Sequence, residues 1–242
     1  FDICNDDCCQ RYQGMGNCSE ASIKSAEATF GKVIMFEDKI CDARYSKSCG
    51  GITENFENVW EGDPVPYLIS VEDVDSKGTA FCSPDIVPEE SLKSFIGNVD
   101  EKGQYFLWTF EPTQDELIRS LKNKHKIEAT EILQLKPEKI GNSGRIIDLR
   151  IDYKDIQNNL KSIAIHTEYE IRNIMSPSFL FSSAFSVKKN ENGNFNLIGK
   201  GWGHGVGLCQ IGALGRALNG QSTETILNHY YPVSKLKRIY SS

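Results

Sequence analysis

"GKGWGHGVGLCQIGALGRALNGQSTETILNHYYP", residues 199–232, is the stretch on which the reading of this chain turns. Five of the twenty glycines and one of the four histidines fall between Gly199 and Gly207. Glycines on both sides of His204 allow a positive φ or a close approach of backbone to a neighbour. The run that follows has helical spacing over 207–218, with Leu208, Ile211, Leu214 and Leu218 on one stripe. Gly220 suits the C-terminal cap, and a second helix opens at Ser222 and stops before Pro232. His204 therefore sits on a turn feeding a helix N-terminus, where unpaired N–H groups favour anionic or polar groups. Two readings stay open: a histidine that binds or helps catalysis, and one satisfied by hydrogen bonds within a tight turn. The segment is not a phosphate loop, because it has neither GxxxxGK[ST] nor a Rossmann GxGxxG with its following acid.

Upstream, the chain alternates strand-like and helix-like runs without a strict βαβ rhythm. Helices are expected over 19–30 with Ser19 as cap, near 88–97, over 113–124 with a Thr113–Glu116 capping box, and over 168–175. Strands are expected at 32–37 and 39–46 as a hairpin, then at 66–72, 105–111, 128–135, 144–153 and 161–166. A further hairpin is expected from 181–189 and 194–201 around "NENG". This pattern predicts a single α+β domain with a mixed, largely antiparallel sheet and flanking helices.

The bulk numbers exclude some classes. The 242 residues can bury a sizeable core, and 39% hydrophobic with 25% charged residues is ordinary for a globular protein. A net charge of −6 argues against a nucleic-acid surface and against general affinity for anionic membranes. No apolar run approaches the ~20 residues of a membrane helix, and no signal peptide is read. Residue 1 is Phe, so the start reads as a product of truncation, cleavage or signal removal.

Six of the eight cysteines fall in the first 49 residues. Cys4, Cys8 and Cys9 crowd together beside Asp6 and Asp7. Thiolates are good zinc ligands, and a structural site wants four nitrogen or sulfur donors. A disulfide from Cys4 or Cys8 to Cys18 or Cys41, or free buried thiols, would explain the same residues. Gly50 and Gly51 make another flexible turn, followed by Glu54, Glu57 and Glu61 with Trp60 among them. Carboxylates beside an aromatic suit carbohydrate chemistry, and equally a solvated surface. A thiol nucleophile, Cys209 or Cys49, working with His204 is a separate reading; a buried hydrophobe is the alternative for both sulfurs.

In order along the chain, "CNDDCCQRY", "SCGGITENFENVW", "IRNIMSPSFLFSSAF" and "GHGVGLCQIGALGRALNGQSTETILNHYYP" together resemble the SpoIID/LytB family of sporulation and cell-wall proteins. The resemblance covers nearly all of residues 1–242, with 73–104 the least typical part and read as an insertion. It implies cleavage of the MurNAc–GlcNAc bond of peptidoglycan by a lytic transglycosylase, leaving 1,6-anhydro ends and preferring stripped glycan. The alternative is a non-catalytic glycan-binding or amidase-activating module.

The family's catalytic glutamate lies upstream of its cysteine motif, so the acid is expected before residue 1. On this reading the chain alone is inactive, and its partners are glycan strands, a cell-wall amidase or the missing N-terminal segment. An exported protein of the bacterial envelope or periplasm is implied. Carried over residue by residue, the resemblance gives His204 a supporting role. It gives Gln10, Tyr12, Ser48, Gly50, Gly51, Thr53, Glu54, Gly205 and Gln210 to the glycan groove. Zinc is assigned to Cys4, Cys8 and Cys9. Cys49 and Cys209 stand where the family often has serine; were both to line the groove, they could approach each other.

Overall fold

A computed structural model describes residue 16 and residues 18–96 and 104–240. Among these, in chain order, lie α1 Glu20–Thr29, β1 Lys32–Phe36, β2 Lys39–Ile40, β3 Tyr45–Ser46, α2 Glu89–Ile96, β4 Leu107–Phe110 and α3 Gln114–His125. They are followed by β5 Ala129–Ile140, β6 Ile146–Asp155, β7 Leu160–His166, α4 Glu168–Met175, β8 Phe185–Lys189 and β9 Phe195–Lys200. The last elements are β10 Leu208–Cys209, α5 Gln210–Leu218, α6 Thr223–Tyr230 and β11 Lys235–Arg238. The chain is α+β, as expected, and β3–β10 is the only parallel strand pair among the described residues.

The chain divides into two units, Phe1–Cys41 with Lys235–Ser242, and Asp42–Ser234. The smaller carries α1 and an antiparallel sheet in the order β11-β1-β2. Ser19 and Ser22 close a reciprocal cap at the start of α1, and no α1 side chain is buried.

The larger unit holds the sheets β5-β6-β7 and β4-β9-β8 and the β10-β3 pair. Its core gathers Ile132, Ile146, Leu149, Ile151 and Ile165 with Leu117 and Leu121 of α3, Ile171 and Met175 of α4, and Trp108 and Leu197. From Ile147 onward every second residue of the expected strand at 144–153 turns inward, with Leu149 and Ile151 buried, and Arg145 and Ile146 before it are buried too. Thr113 and Glu116 form the expected capping box of α3. The β8–β9 hairpin forms, and the Asn190–Asn194 hydrogen bond closes its turn.

Three expectations change. Residues 66–72 form no strand; the Leu68 N–H turns back to the Val65 carbonyl, the Ser70 and Val71 N–H groups go to the side chains of Asn55 and Thr53, and only Ile52↔Glu72 remains there as an isolated bridge. The expected hairpin partner 39–46 splits: β2 stays with β1, while β3 leaves to pair with β10. The helix expected over 207–218 starts at Gln210, because Leu208 and Cys209 are held in that pairing. Its buried face is Ile211, Gly212, Gly215 and Arg216, and Leu218 is 54% exposed.

Candidate functional site

Residues 44–48, 52–54 and 201–209 run side by side. Ser48 and Trp202 exchange both backbone hydrogen bonds, at 3.1 and 2.8 Å, and the Glu54 N–H donates to the Gly205 carbonyl at 2.9 Å. Gly201, Gly203, Gly205 and Gly207 all have positive φ, between 71° and 94°. Three of them also lack room for a side chain, since a Cβ on Gly201 would crowd the Ser48 carbonyl. A Cβ on Gly205 would overlap the Arg145 guanidinium, and one on Gly207 would overlap the Arg44 carbonyl. The glycines that flank His204 therefore serve a strained turn and close packing together.

Arg145 is 0% exposed and holds this layer from beneath. Its guanidinium donates to the carbonyls of Gly203 (2.9 and 3.1 Å), Cys49 (3.3 Å) and Ser48 (3.5 Å), and to the Ser143 hydroxyl (3.1 Å). Burial lowers its pKa from the usual arginine value.

Glu54 is likewise 0% exposed. Its carboxylate accepts from the N–H groups of Asn55 (2.9 Å), Asn142 (3.2 Å) and Ser143 (3.1 Å), the Asn58 amide (2.8 Å) and the Ser143 hydroxyl (2.5 Å). A Cβ on Gly141 would strike this carboxylate. Glu54 thus fastens the 141–143 turn to the loop layer.

His204 is half-buried and packs edge-on against Trp60, with ring centroids 4.8 Å apart. Its Nδ1 accepts the Val206 N–H at 3.0 Å, which places the ring proton on Nε2. Burial first, then the charges of Arg145, Arg172 and Arg44, pushes its pKa down to about 3, against the pull of a hydrogen bond with the Tyr45 backbone. It is a neutral imidazole at physiological pH.

Two aromatic clusters flank this loop. In one, Trp60 meets Phe56 and His204, and Arg44 lies over the Trp60 ring at 4.3 Å. In the other, Trp202 stacks on Phe181 at 4.5 Å and meets Tyr105 edge-on, with Lys47 over the Tyr105 ring at 5.5 Å. Trp60 and Trp202 are partly exposed, and Tyr45, on the outer side of β3, is 40% exposed. Aromatic faces with a cation alongside suit the apolar faces and hydroxyls of sugars.

The expected site residues are distributed unevenly. Gln10, Tyr12, Cys4, Cys8 and Cys9 lie outside the described residues. Ser48, Gly50, Gly51, Thr53, Glu54 and Gly205 are buried beneath the loop surface, while His204 is partly exposed and Gln210 is exposed at the start of α5. The Thr53 hydroxyl accepts the Val71 N–H at 2.8 Å and so serves the backbone.

Cys49 and Cys209 approach each other, the Cys49 N–H donating to the Cys209 sulfur at 3.2 Å, but both are 0% exposed and neither lines a groove. Burial pushes the Cys209 thiol well up, away from the thiolate that a nucleophile at the α5 N-terminus would need. Its sulfur faces the N–H groups of Cys49 and Gly212, and the His204 ring nitrogens are engaged with Val206 and Tyr45.

Around these sulfurs, Cys49, Cys82, Cys209 and Asp73 form a buried group that could hold a metal ion. Asp73 pairs with Arg216 at 2.9 Å, and Arg216 reaches His229 at 2.7 Å. Sequence reading passed over Cys82 and Asp73. Arg145 was missed too, since nothing marks one arginine among the chain's 27 Lys and Arg residues as the buried one. An open depression lined by Arg150, Asp152, Lys161 and Lys189 holds none of the expected residues.

The model of a family described as a domain of unknown function (DUF8618) matches residues 54–207, from the buried carboxylate to the last glycine of the His204 loop. The chain belongs to that family. It is also 29% identical over 231 residues to an uncharacterized protein of Brachyspira hyodysenteriae, covering 96% of this chain and 52% of that one. An amidase enhancer of Bacillus subtilis is 28% identical over 236 residues, 88% of this chain and 32% of that protein. A stage II sporulation protein D of Bacillus amyloliquefaciens is 27% identical over 208 residues, 84% and 47% respectively. The chain thus spans about half or less of the length of these relatives. The last two names support a SpoIID/LytB-like family. Among the described residues no helix is long and apolar enough to cross a membrane.

Proposed function

We propose that this chain is part of an exported bacterial cell-wall protein and binds peptidoglycan glycan strands across the loop carrying Trp202 and His204. The observation that carries this reading is the pair of aromatic–cation clusters, Trp60 with Arg44 and Trp202 with Lys47 close by, on either side of a backbone layer made rigid by Arg145 and Glu54. Trp60 and Trp202, partly exposed on a fixed frame, offer stacking at little cost in ordering. The names of two relatives, an amidase enhancer and a sporulation protein D, support a cell-wall role.

On this reading the face serves a lytic transglycosylase. One carboxyl would protonate the leaving oxygen and then, as base, help the muramoyl 6-hydroxyl close the 1,6-anhydro ring. Glu54 is not assigned that work, because all its acceptor capacity is spent within the fold. His204, neutral and with Nδ1 occupied, orients Trp60 and carries no proton between groups. Zinc at Cys4, Cys8 and Cys9 remains part of the proposal for the N-terminal segment.

The burial of Glu54 favours a second reading, a non-catalytic module that binds glycan and activates an amidase. Incubating full-length protein with stripped glycan strands separates the two. Mass spectrometry finds new 1,6-anhydro ends in the first case, and in the second finds intact strands that are nevertheless retained by the protein.

A further inference from the structure

We propose that Cys49, Cys82, Cys209 and Asp73 form a structural metal site for a soft divalent cation of the zinc class. The four donor atoms lie within 4.8 Å of one another and all four residues are buried. They come from the turn before Gly50, from two points of the 73–82 segment, and from the N-cap of α5.

The spacing suits such an ion. The Cys49 and Cys82 sulfurs are 3.8 Å apart, and the Cys49 sulfur lies 3.3 Å from Asp73 Oδ2. A tetrahedral ion with zinc–sulfur and zinc–oxygen bonds of ordinary length separates such pairs by about 3.8 and about 3.5 Å. A disulfide would need the sulfurs at about 2.05 Å, and would leave the third thiol and the carboxylate without a task.

The surroundings are built for negative sulfur. The Cys209 sulfur accepts the N–H groups of Cys49 and Gly212, both at 3.2 Å, and the Cys49 sulfur accepts that of Gly51 at 3.3 Å. The Gly50 N–H and the Ser48 hydroxyl face Cys82. Asp73 is oriented through its other oxygen by Arg216, which His229 and Gln221 steady in turn. Supporting contacts of this kind fix the ligands of metal sites. Once a divalent cation has displaced the thiol protons, its charge and that of the Arg216 guanidinium leave the four donors with a single net negative charge. Three thiolates select a soft metal over magnesium or calcium. No side of the cluster is open to solvent, so the ion would lock the Gly50 turn, the 73–82 segment and α5 together rather than meet substrate.

The test keeps this site apart from the N-terminal cysteines. A chain carrying Cys4→Ser, Cys8→Ser and Cys9→Ser is purified reduced, stripped with chelator and titrated with Co2+. The expected result is ~1 cobalt per chain, with tetrahedral visible bands and sulfur-to-cobalt charge transfer, displaced by ~1 equivalent of zinc with a rise in Tm. Adding Cys82→Ser should cut the charge-transfer intensity by about a third and weaken zinc binding ~10-fold or more. Absence of these bands overturns the proposal, as does a disulfide joining two of Cys49, Cys82 and Cys209 in freshly isolated protein. Should the triple variant fail to fold, Cys82→Ser in the native chain must lose about one bound metal; an unchanged metal content overturns the site.

Discussion

The backbone N–H of Cys49 donates to the sulfur of Cys209, 3.2 Å away in space and 160 positions away in sequence. That bond joins the Gly50–Gly51 turn to the N-terminus of α5, directly under the loop that carries Trp202 and His204. The layer is therefore braced at both ends of the sequence, and substitutions in its bracing should register as lost stability before they register as lost binding.

Glu54→Gln tests one brace. The amide would offer two donors to a site that supplies donors only: three N–H groups, the Asn58 amide and the Ser143 hydroxyl. We expect a loss of ~2–4 kcal/mol in denaturant unfolding, from unmade charged hydrogen bonds and misplaced donors. A catalytic carboxylate would behave differently, since its amide variant folds normally and loses only turnover.

Gly205→Ala and Gly78→Ala separate crowding from backbone strain. Both glycines have positive φ, +80° and +84°. A Cβ at Gly78 meets open space, whereas one at Gly205 runs into the Arg145 guanidinium. The Gly78 variant should lose ~1 kcal/mol, and the Gly205 variant well over ~2 kcal/mol, with disturbed near-UV signals from the tryptophans.

Arg145→Lys keeps the charge and loses the fork. A single ammonium cannot serve the carbonyls of Gly203, Cys49 and Ser48 together with the Ser143 hydroxyl. Stability should fall by ~2–4 kcal/mol, with faster amide exchange at Ser48 and Trp202, whose paired backbone bonds the guanidinium supports.

His204 sets an acid limit. Its folded pKa is about 3 against 6.5 ordinarily, and that of His229 is about 4. The unfolded chain therefore binds more protons than the folded one between these values, and stability falls as pH drops from about 6.5 toward 3. Replacing His204 with Asn should flatten that slope in urea titrations followed from pH 7 to pH 4. NMR of the native ring should find the proton on Nε2 and no titration of His204 between pH 5 and 8.

How much of this was readable beforehand depended on range. The Thr113 capping box, the Ser19 and Ser222 caps and the β8–β9 hairpin are local signals, and each formed where the residues placed it. The leucine stripe of 207–218 misled because Gly212 and Gly215 let α5 press a nearly bare backbone against Asp73 and the Phe81 carbonyl, so the glycine face is buried and Leu218 is not. The 66–72 strand fails because its N–H groups go to the side chains of Asn55 and Thr53, 15 and 18 positions away, which periodicity does not weigh. In the candidate site, Trp60 and His204 were visible as types, but their contact was not. The cluster of Cys49, Asp73, Cys82 and Cys209 unites residues 24, 33 and 160 positions from Cys49, a closure no local pattern announces. Glu54 looked like a groove residue because a glutamate near Gly-Gly and Trp resembles one; only burial distinguishes a carboxylate that holds a turn from one that meets a sugar.

The claim on which the account rests most is that glycan strands lie against the Trp60 and Trp202 clusters. Co-sedimentation of the chain with peptidoglycan stripped of stem peptides, comparing native protein with Trp60→Ala and Trp202→Ala variants whose unfolding curves match it, tests this directly. The account predicts salt-tolerant binding that weakens ~5–30-fold in each variant, as the loss of one stacked ring of ~1–2 kcal/mol requires. Equal retention of all three proteins, or no retention of the native chain, would contradict it.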